Sequence, residues 1–181
     1  MTGVISGVLT FTSAGTYTPV VTVTAGGRSV STTFTWTVSD APPPANAPPV
    51  CTAAAPSVAT IWPPNHQQVS VTILGVTDPD GQSVTITITR VLQDEPTNTT
   101  ADGNTPIDGG GVGTSTAWVR AERSGKGNGR VYEIRFTATD SVGASCSGSV
   151  TLGVPRDQGK GRVPVDSSVR YDSTVAGGPP L

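Results

Sequence analysis

The sequence has little charge and no long apolar run. Only 13% of its 181 residues are charged, and the formal net charge is −2. Without a basic field the protein has nothing that attracts nucleic acid or an anionic membrane. No apolar run approaches the ~20 residues that a membrane-spanning helix needs, and the first residues carry no charged-then-apolar secretion signal. We therefore expect no nucleic-acid partner and no membrane insertion, and we expect any export leader to be removed or to lie outside this chain.

Histidine is nearly absent, which restricts catalysis. His66 is the single histidine, so a Ser–His–Asp arrangement would have to be built around it. It lies in WPPNHQQ, where two prolines favour a turn, and a histidine that serves the turn is the simpler interpretation. Asp94 and Glu95 are adjacent, so in a strand they would face opposite ways rather than form an acid–base pair. With no HExxH and no phosphate-binding glycine motif, the sequence predicts that the protein is not an enzyme.

Cysteine is equally scarce. Cys51 and Cys146 are the only two, and no histidine or carboxylate stands around them at the spacing of a zinc site. We predict one disulfide between them, with two buried free thiols as the alternative. Because a disulfide persists only in an oxidising compartment, we expect an extracellular or cell-surface location.

Threonine, serine, glycine and proline are abundant instead. Ser and Thr make up about a quarter of the chain, and there are 22 Gly and 16 Pro. Runs such as VTVTAGG, TTFTWTV and VTITITR suit strands, since β-branched side chains fit a pleated surface. Helical periodicity is absent, and this density of Gly and Pro favours many short strands. The sequence predicts an all-β protein.

A proline-rich segment, SDAPPPANAPPV, divides the chain, because successive prolines cannot join a β-ladder. We predict a partial unit over residues 1–40, a linker over 41–50, a sandwich over 51–158 and an extended tail over 159–181. The first unit has candidate strands at 4–11, 17–25 and 29–38, with a Gly26-Gly27 hairpin turn and Trp36 in its core. The predicted strands of the sandwich are 58–62, 69–76, 84–92, 114–123, 130–139 and 146–154.

Two resemblances accompany these patterns. The stretches TGVISG, AGTYTPVVTVTAGG and STTFTWTVSD, from Thr2 to Asp40, resemble the C-terminal half of the Ig-like (cadherin-like) repeats of bacterial surface proteins. The stretches IWPPNHQQVSVTI, QDEP, WVRAERSGKGNGRVYEIRFTATD and VPRDQGKG, within Cys51 to about Tyr171, resemble a bacterial secreted Ig-like module found near the ends of large extracellular proteins. The resemblances imply two Ig-like β-sandwich units, the first incomplete, on an extracellular protein. They imply no activity.

Acidic loops make calcium the favoured metal. Ca²⁺ binds six to eight oxygens from carboxylates, amides and carbonyls, and two loops could supply them. The long loop and its neighbouring strand offer Asp94, Glu95, Asp102, Asn104, Asp108 and Glu122. The weaker candidates are Asp78 and Asp80 in TDPDGQS. The alternative is that Asp-Gly and Asp-Pro pairs simply form turns by hydrogen-bonding their own backbone.

Three further groups of residues have both a structural and a functional interpretation. Arg120, Arg123 and Arg130 could clamp an anionic ligand, but cross-strand ion pairs on a solvated face are commoner. Trp62 and Trp118 could stack on sugars, although packing is the usual role of tryptophan. Asn98 begins the glycosylation sequon Asn-Thr-Thr.

The tail repeats with a period of two for thirteen positions, as an edge strand does. One phase contains Val163, Val165, Val169, Tyr171 and Val175. Because the first unit lacks strands, and an open apolar edge invites another chain, we expect this tail to act as a donor strand for the next copy. The expected protein is a homo-oligomeric, head-to-tail surface fibre. The alternatives are a fragment of a multidomain surface or adhesion protein, and a glycan-binding module.

Overall fold

The computed structural model describes residues 14–98, 102–105, 107–159 and 162–181, so the predicted strand at 4–11 lies outside it. Over the described residues the chain forms strands and no helix, which confirms the all-β prediction. None of these residues belongs to a helix long and apolar enough to cross a bilayer. The strands are β1 (Gly15–Tyr17), β2 (Val20–Ala25), β3 (Arg28–Thr33), β4 (Trp36–Val38), β5 (Ala55–Pro56), β6 (Gln68–Leu74), β7 (Thr85–Gln93), β8 (Gly109–Gly110), β9 (Thr116–Arg120), β10 (Arg130–Thr139), β11 (Ser145–Val154) and β12 (Tyr171–Asp172).

The chain divides into two compact units, Met1–Ala45 and Asn46–Leu181. The division lies within the proline-rich segment 41–50. The tail, predicted as a separate segment from residue 159, is part of the second unit.

The first unit contains two short antiparallel ribbons. Strands β2 and β3 form a hairpin in which Ala25 pairs with Arg28, and Gly26 and Gly27 both have positive φ, 58° and 73°. Two positive φ angles at the centre of a two-residue turn suit the twist of a hairpin, so the predicted turn is confirmed. Strands β1 and β4 pair separately, and each long predicted strand is therefore broken into two.

Apolar side chains of this unit are exposed. Trp36, predicted in the core, is 43% exposed, and the cross-strand pair Val23 and Val30 is more exposed still. The core prediction for Trp36 is wrong for the described residues, because a two-stranded ribbon provides no second layer against which its apolar face can pack.

The second unit is a sandwich of two antiparallel four-stranded sheets. One sheet has the order β11-β10-β7-β12 and the other β5-β6-β9-β8. Alternate residues of each strand point inward, as a half-buried sheet requires. The core contains Val71, Ile88, Val119, Tyr132, Ile134, Phe136, Ala138, Val150 and Leu152.

A β-bulge interrupts the central pair of the first sheet. Arg135 of β10 pairs with Arg90 of β7, whereas the next residue, Phe136, pairs with Ile88. Thr89 is therefore an extra residue without an opposite partner, and such a bulge re-aims the side chains beside it.

The predicted disulfide joins Cys51 and Cys146, whose Cα atoms lie 6.0 Å apart. Cys146 is on β11, the last long strand of the sandwich, and Cys51 lies before the first. The bond therefore holds the beginning of the unit to its last long strand.

The tail forms less strand than its alternation predicts. Only Tyr171–Asp172 are a strand, and they pair antiparallel with Gln93 and Leu92 of the same chain. Pro164, which has no N–H to donate, packs against Gly153 of β11. The thirteen-residue strand is thus replaced by a segment that lies along its own sandwich.

Candidate functional site

Four of the predicted calcium ligands converge on one arginine. Glu95 follows β7, Asp102 and Asp108 lie in the long loop before β8, and Glu122 follows β9. All four are buried, and Arg130, the first residue of β10, is fully buried among them. We call these five residues the Arg130 cluster.

All three nitrogens of the Arg130 guanidinium bind carboxylates of the cluster. Its Nε donates to Glu95 Oε2 at 3.1 Å, its Nη1 to Asp108 Oδ2 at 2.8 Å and its Nη2 to Asp102 Oδ2 at 3.4 Å. Glu122 Oε1 is 3.9 Å from Nη1. Charge-assisted contacts of this kind satisfy a buried arginine and fix the planes of its partners.

Burial is the largest influence on the pKa of two carboxyl groups of the cluster. It raises the pKa of Glu95 and of Asp108 above their ordinary values, although Arg130 acts in the opposite direction on both. Burial also tends to lower the pKa of Arg130, but Tyr132 and Asp108 more than offset this and hold it above its usual range. The arginine is therefore a permanent cation at the centre of the cluster.

Neutral groups complete the hydrogen bonds around Arg130. Tyr132 Oη accepts from Arg130 Nη1 at 3.2 Å and donates to the carbonyl of Arg120 at 2.9 Å. Gln93 Nε2 donates to Asp108 Oδ2 at 2.8 Å and to the Glu95 carbonyl at 3.0 Å. Burial raises the pKa of Tyr132, so its hydroxyl stays protonated and able to donate.

His66 and Arg120 lie at the rim of the cluster. His66 Nδ1 is 2.9 Å from Glu122 Oε2, which also accepts from Thr105 Oγ1. Arg120 Nε is 3.7 Å from Asp108 Oδ1, and its Nη1 donates to the carbonyl of His66 at 3.0 Å. The turn histidine therefore holds the orientation of Glu122.

The cluster has more carboxylates than cations. Four carboxylates face two guanidinium groups, and two oxygens, Asp108 Oδ1 and Glu122 Oε1, are buried without a hydrogen-bond partner among the described residues. In the part of the chain that the structure describes, no three His, Cys, Asp or Glu side chains are arranged to hold a metal ion. Arg130 lies among the side chains that were predicted to hold calcium, and calcium binding stays a prediction.

Two of the six strongest calcium candidates lie outside the cluster. Asp94 Oδ1 accepts from the amide of Val131 at 2.8 Å, and its Oδ2 accepts from the amide of Ser167 at 3.1 Å. Asp94 thus ties β10 to the tail, and burial raises its pKa. The amide of Asn104 donates to Asp102 Oδ1 at 3.2 Å, so Asn104 forms the turn that carries Asp102.

The weaker candidates, Asp78 and Asp80, bond to backbone. Asp78 Oδ1 accepts from the amides of Asp80 at 2.9 Å and Gln82 at 3.1 Å, and Asp80 Oδ2 accepts from the amide of Ala47 at 2.7 Å. This is the pattern of an Asx-type turn.

The remaining candidates lie apart from Arg130. Asn98 is exposed, with a φ of 62°, and the two threonines of its sequon lie outside the described residues. Trp62 is 39% exposed. Arg123 donates to the carbonyl of Arg156 at 2.9 Å.

The alternation of β10 indicates that Arg130 is buried, although the sequence analysis did not draw this conclusion. Arg130 has the same phase as Tyr132, Ile134 and Phe136, the inward face of β10, yet arginines here were assigned to a solvated face. A charged residue in a buried phase must be paired, and the nearby run of acids supplies the partners. No sequence pattern indicated that Gln93 and Ser173 are buried beside the cluster.

The tail is attached to the same region. Ser173 is buried, its amide donates to the Val91 carbonyl at 3.0 Å, and its carbonyl accepts from the amides of Asp108 and Gly109, both at 2.9 Å. Glu133 binds Arg170 at 2.7 Å. The arrangement fixes loops and tail to the sandwich.

A scan against models of known protein families matched none, and searches of curated proteins and of solved structures found no match. Function is therefore inferred from the geometry of the site and from the sequence motifs.

Proposed function

We propose that the protein is a non-enzymatic structural module of an extracellular or cell-surface protein. The observation that carries this proposal is that both ends of the sandwich are fastened to it. Cys51 is bonded to Cys146 near the start, and Ser173 is hydrogen-bonded between Val91 and Asp108 near the end. A unit held at entry and exit keeps its neighbours at a fixed spacing, as a stalk or fibre requires.

The buried cluster supports a structural role rather than a catalytic one. Its four carboxylates surround Arg130, and Arg130 has no exposed surface from which it could reach a substrate. The sequence resemblance to secreted Ig-like modules of bacteria supports the same role.

The location can be tested on the cells that make the protein. An antibody raised against the second unit should label intact cells or the culture medium. Labelling that requires permeabilised cells would contradict the extracellular proposal, and an antibody against a cytosolic protein serves as the control for cell integrity.

A head-to-tail fibre is the second candidate, favoured by exposed apolar groups. Val23, Val30 and Phe34 of the first unit are exposed. The tail exposes Val163, Val165, Val169 and Val175. In this assembly the tail would leave its own β7 and pair with another copy, as in domain swapping.

Negative-stain microscopy and sedimentation of the full chain distinguish the two candidates. Filaments that vanish when residues 163–181 are deleted, while the shortened second unit still melts cooperatively, would support the fibre. A monomer at every concentration tested would leave the single module as the proposal.

Calcium remains a proposed ligand, since the unpartnered oxygens of Asp108 and Glu122 suit a hard cation. A ligand that binds only the folded state raises its melting temperature. We expect millimolar Ca²⁺ to raise the melting temperature, and to raise it less in Glu122→Gln. An unchanged melting temperature would remove calcium from the proposal.

A further inference from the structure

A groove lies where β7, β8, β9 and β12 meet, separate from the Arg130 cluster. It encloses about 410 Å³, within the range of small-ligand sites. Its lining includes Arg90, Gly110, Trp118, Asp172 and Thr174. Four of the five lie on strands, which hold side chains more rigidly than loops do.

Trp118 supplies one wall of this groove. Its neighbours on β9, Ala117 and Val119, are fully buried, so Trp118 has the opposite phase and points away from the core. Its indole lies so close to Gly110 that a Cβ there would be 2.5 Å from Nε1. The groove therefore requires glycine at this position, and the partly exposed indole borders an open space rather than the core.

The groove also contains unused polar groups. Arg90 follows the bulged Thr89 and is exposed, and its guanidinium makes no hydrogen bond or ion pair to any described residue. Asp172 Oδ1 accepts from the amide of Thr174 at 2.9 Å and from its hydroxyl at 2.6 Å, while Oδ2 accepts from none of the described residues. The indole N–H of Trp118 donates to none of the described residues either.

This combination selects a class of ligand. A small anion would meet Arg90 but would be repelled by Asp172, and a wholly apolar ligand would leave both charges desolvated and unpaired. The base of a nucleotide could stack on Trp118, but the net charge of −2 gives no attraction for the phosphates of the nucleotide. A sugar ring has an apolar face for the indole and hydroxyl groups that both accept from Arg90 and donate to Asp172.

We propose that this groove binds a neutral hexose unit of a glycan, stacked on Trp118 and hydrogen-bonded by Arg90 and Asp172. The site goes beyond the structural role, because it would attach the module to a polysaccharide at the surface where it acts.

The test uses the full chain on a printed array of neutral gluco-, manno- and galacto-oligosaccharides, with uronic-acid oligosaccharides as a second set. At least one neutral set should bind. For the best binder, Trp118→Ala should weaken affinity by about tenfold or more, the loss expected for a central aromatic anchor. Trp62→Ala is the matched control, since Trp62 does not line the groove, and it should bind as the wild type does.

Two further measurements separate binding from folding. Arg90→Ala alters an exposed side chain, so it should keep the wild-type melting temperature and still weaken binding. In 15N-labelled protein the indole N–H signal of Trp118 should shift as the oligosaccharide is added. Absence of binding to both sets, binding to uronic acids alone, or full binding by Trp118→Ala would overturn the proposal.

Discussion

At the scale of single residues, Arg130 decides whether four carboxylates can be buried. Removing one partner of a buried ion pair leaves uncompensated charge, which costs far more than the pair itself contributes. The sandwich therefore tolerates the cluster only as a complete set.

We predict that Arg130→Met lowers the free energy of unfolding by about 3–5 kcal/mol. Arg135→Met, the same change on the same strand, is the control, because Arg135 is exposed and its bond to Glu133 is of the surface kind, worth about 0–1 kcal/mol. Urea unfolding measures both. Equal losses in the two variants would show that the cluster has no special role.

A second prediction concerns pH. Burial raises the pKa of Asp94, Glu95 and Asp108 above their ordinary values of 3.8, 4.5 and 3.8. Between the ordinary pKa of each group and its raised pKa, the folded chain binds more protons than the unfolded one. Over that range the free energy of unfolding therefore falls as the pH rises. We expect the melting temperature to increase as the pH falls from neutrality towards these ordinary values, and to increase less in Asp108→Asn.

At lower pH two other carboxyl groups make stability fall as the pH falls. The pKa of Glu133 is lowered because hydrogen bonds from Arg135 and Arg170 outweigh its burial, and that of Asp166 is lowered chiefly by Arg170. Their contribution is present above the ordinary values of 4.5 and 3.8 and is lost as pH falls through the lowered ones. A melting temperature that declines steadily from pH 7 downward would contradict this account.

At the scale of elements, β8 packs closely against both β7 and the tail. A Cβ at Gly109 would lie 2.6 Å from Val91 Cγ1 and 2.9 Å from Ser173 Cβ. A larger residue there must push Val91 or Ser173 away. Val91 lies on β7, which is paired on both sides, whereas Ser173 follows a strand of two residues that is paired on one side.

We predict that Gly109→Val detaches residues 171–173, with an overpacking cost of about 1–3 kcal/mol. Hydrogen exchange at the amide of Ser173, which donates to Val91, should accelerate. Gly178→Val is the control, since a Cβ at Gly178 meets only Val175, at 3.8 Å. Unchanged exchange in Gly109→Val would mean that the tail is not held at this point.

Long alternating strands were predictable from the sequence, and short ones were not. The segments predicted at 69–76, 84–92, 130–139 and 146–154 correspond to β6, β7, β10 and β11. By contrast, β5, β8 and β12 have two residues each, too few to show a period of two. The predicted strand at 58–62 is only a bridge between Thr60 and Gly153, because its neighbours Pro63 and Pro64 cannot extend a ladder.

The site was predicted in part. The acids of the long loop and Glu122 were chosen because flexible acidic loops suit a cation, and four of them do surround one. The sequence analysis did not predict that this cation is a guanidinium, because it favoured ion pairs on a solvated face for the arginines, whereas Arg130 has the inward phase of β10. Pairing across distant loops is a tertiary property that no local pattern contains.

At the scale of the whole molecule, the disulfide should supply much of the stability of the second unit. Its cysteines are 95 residues apart, and in the chain-entropy description a loop of about 100 residues is worth about 4.7 kcal/mol. We predict a loss of about 4 kcal/mol in the double variant Cys51→Ser, Cys146→Ser. A reductant should reproduce this loss in the wild type and leave the double variant unchanged; a reductant-insensitive wild type would refute it.

The attachment of Ser167 and Ser173 to Asp94 and Asp108 has a consequence for biosynthesis. A chain is made from its N-terminus, so the acids and Arg130 are synthesised before the segment that locks their loops. The tail cannot fasten the loops of the Arg130 cluster until residues 167–173 have left the ribosome. A chain interrupted upstream of Ser167 lacks these bonds, so we expect proteases to cut its acidic loops more readily than those of the full chain.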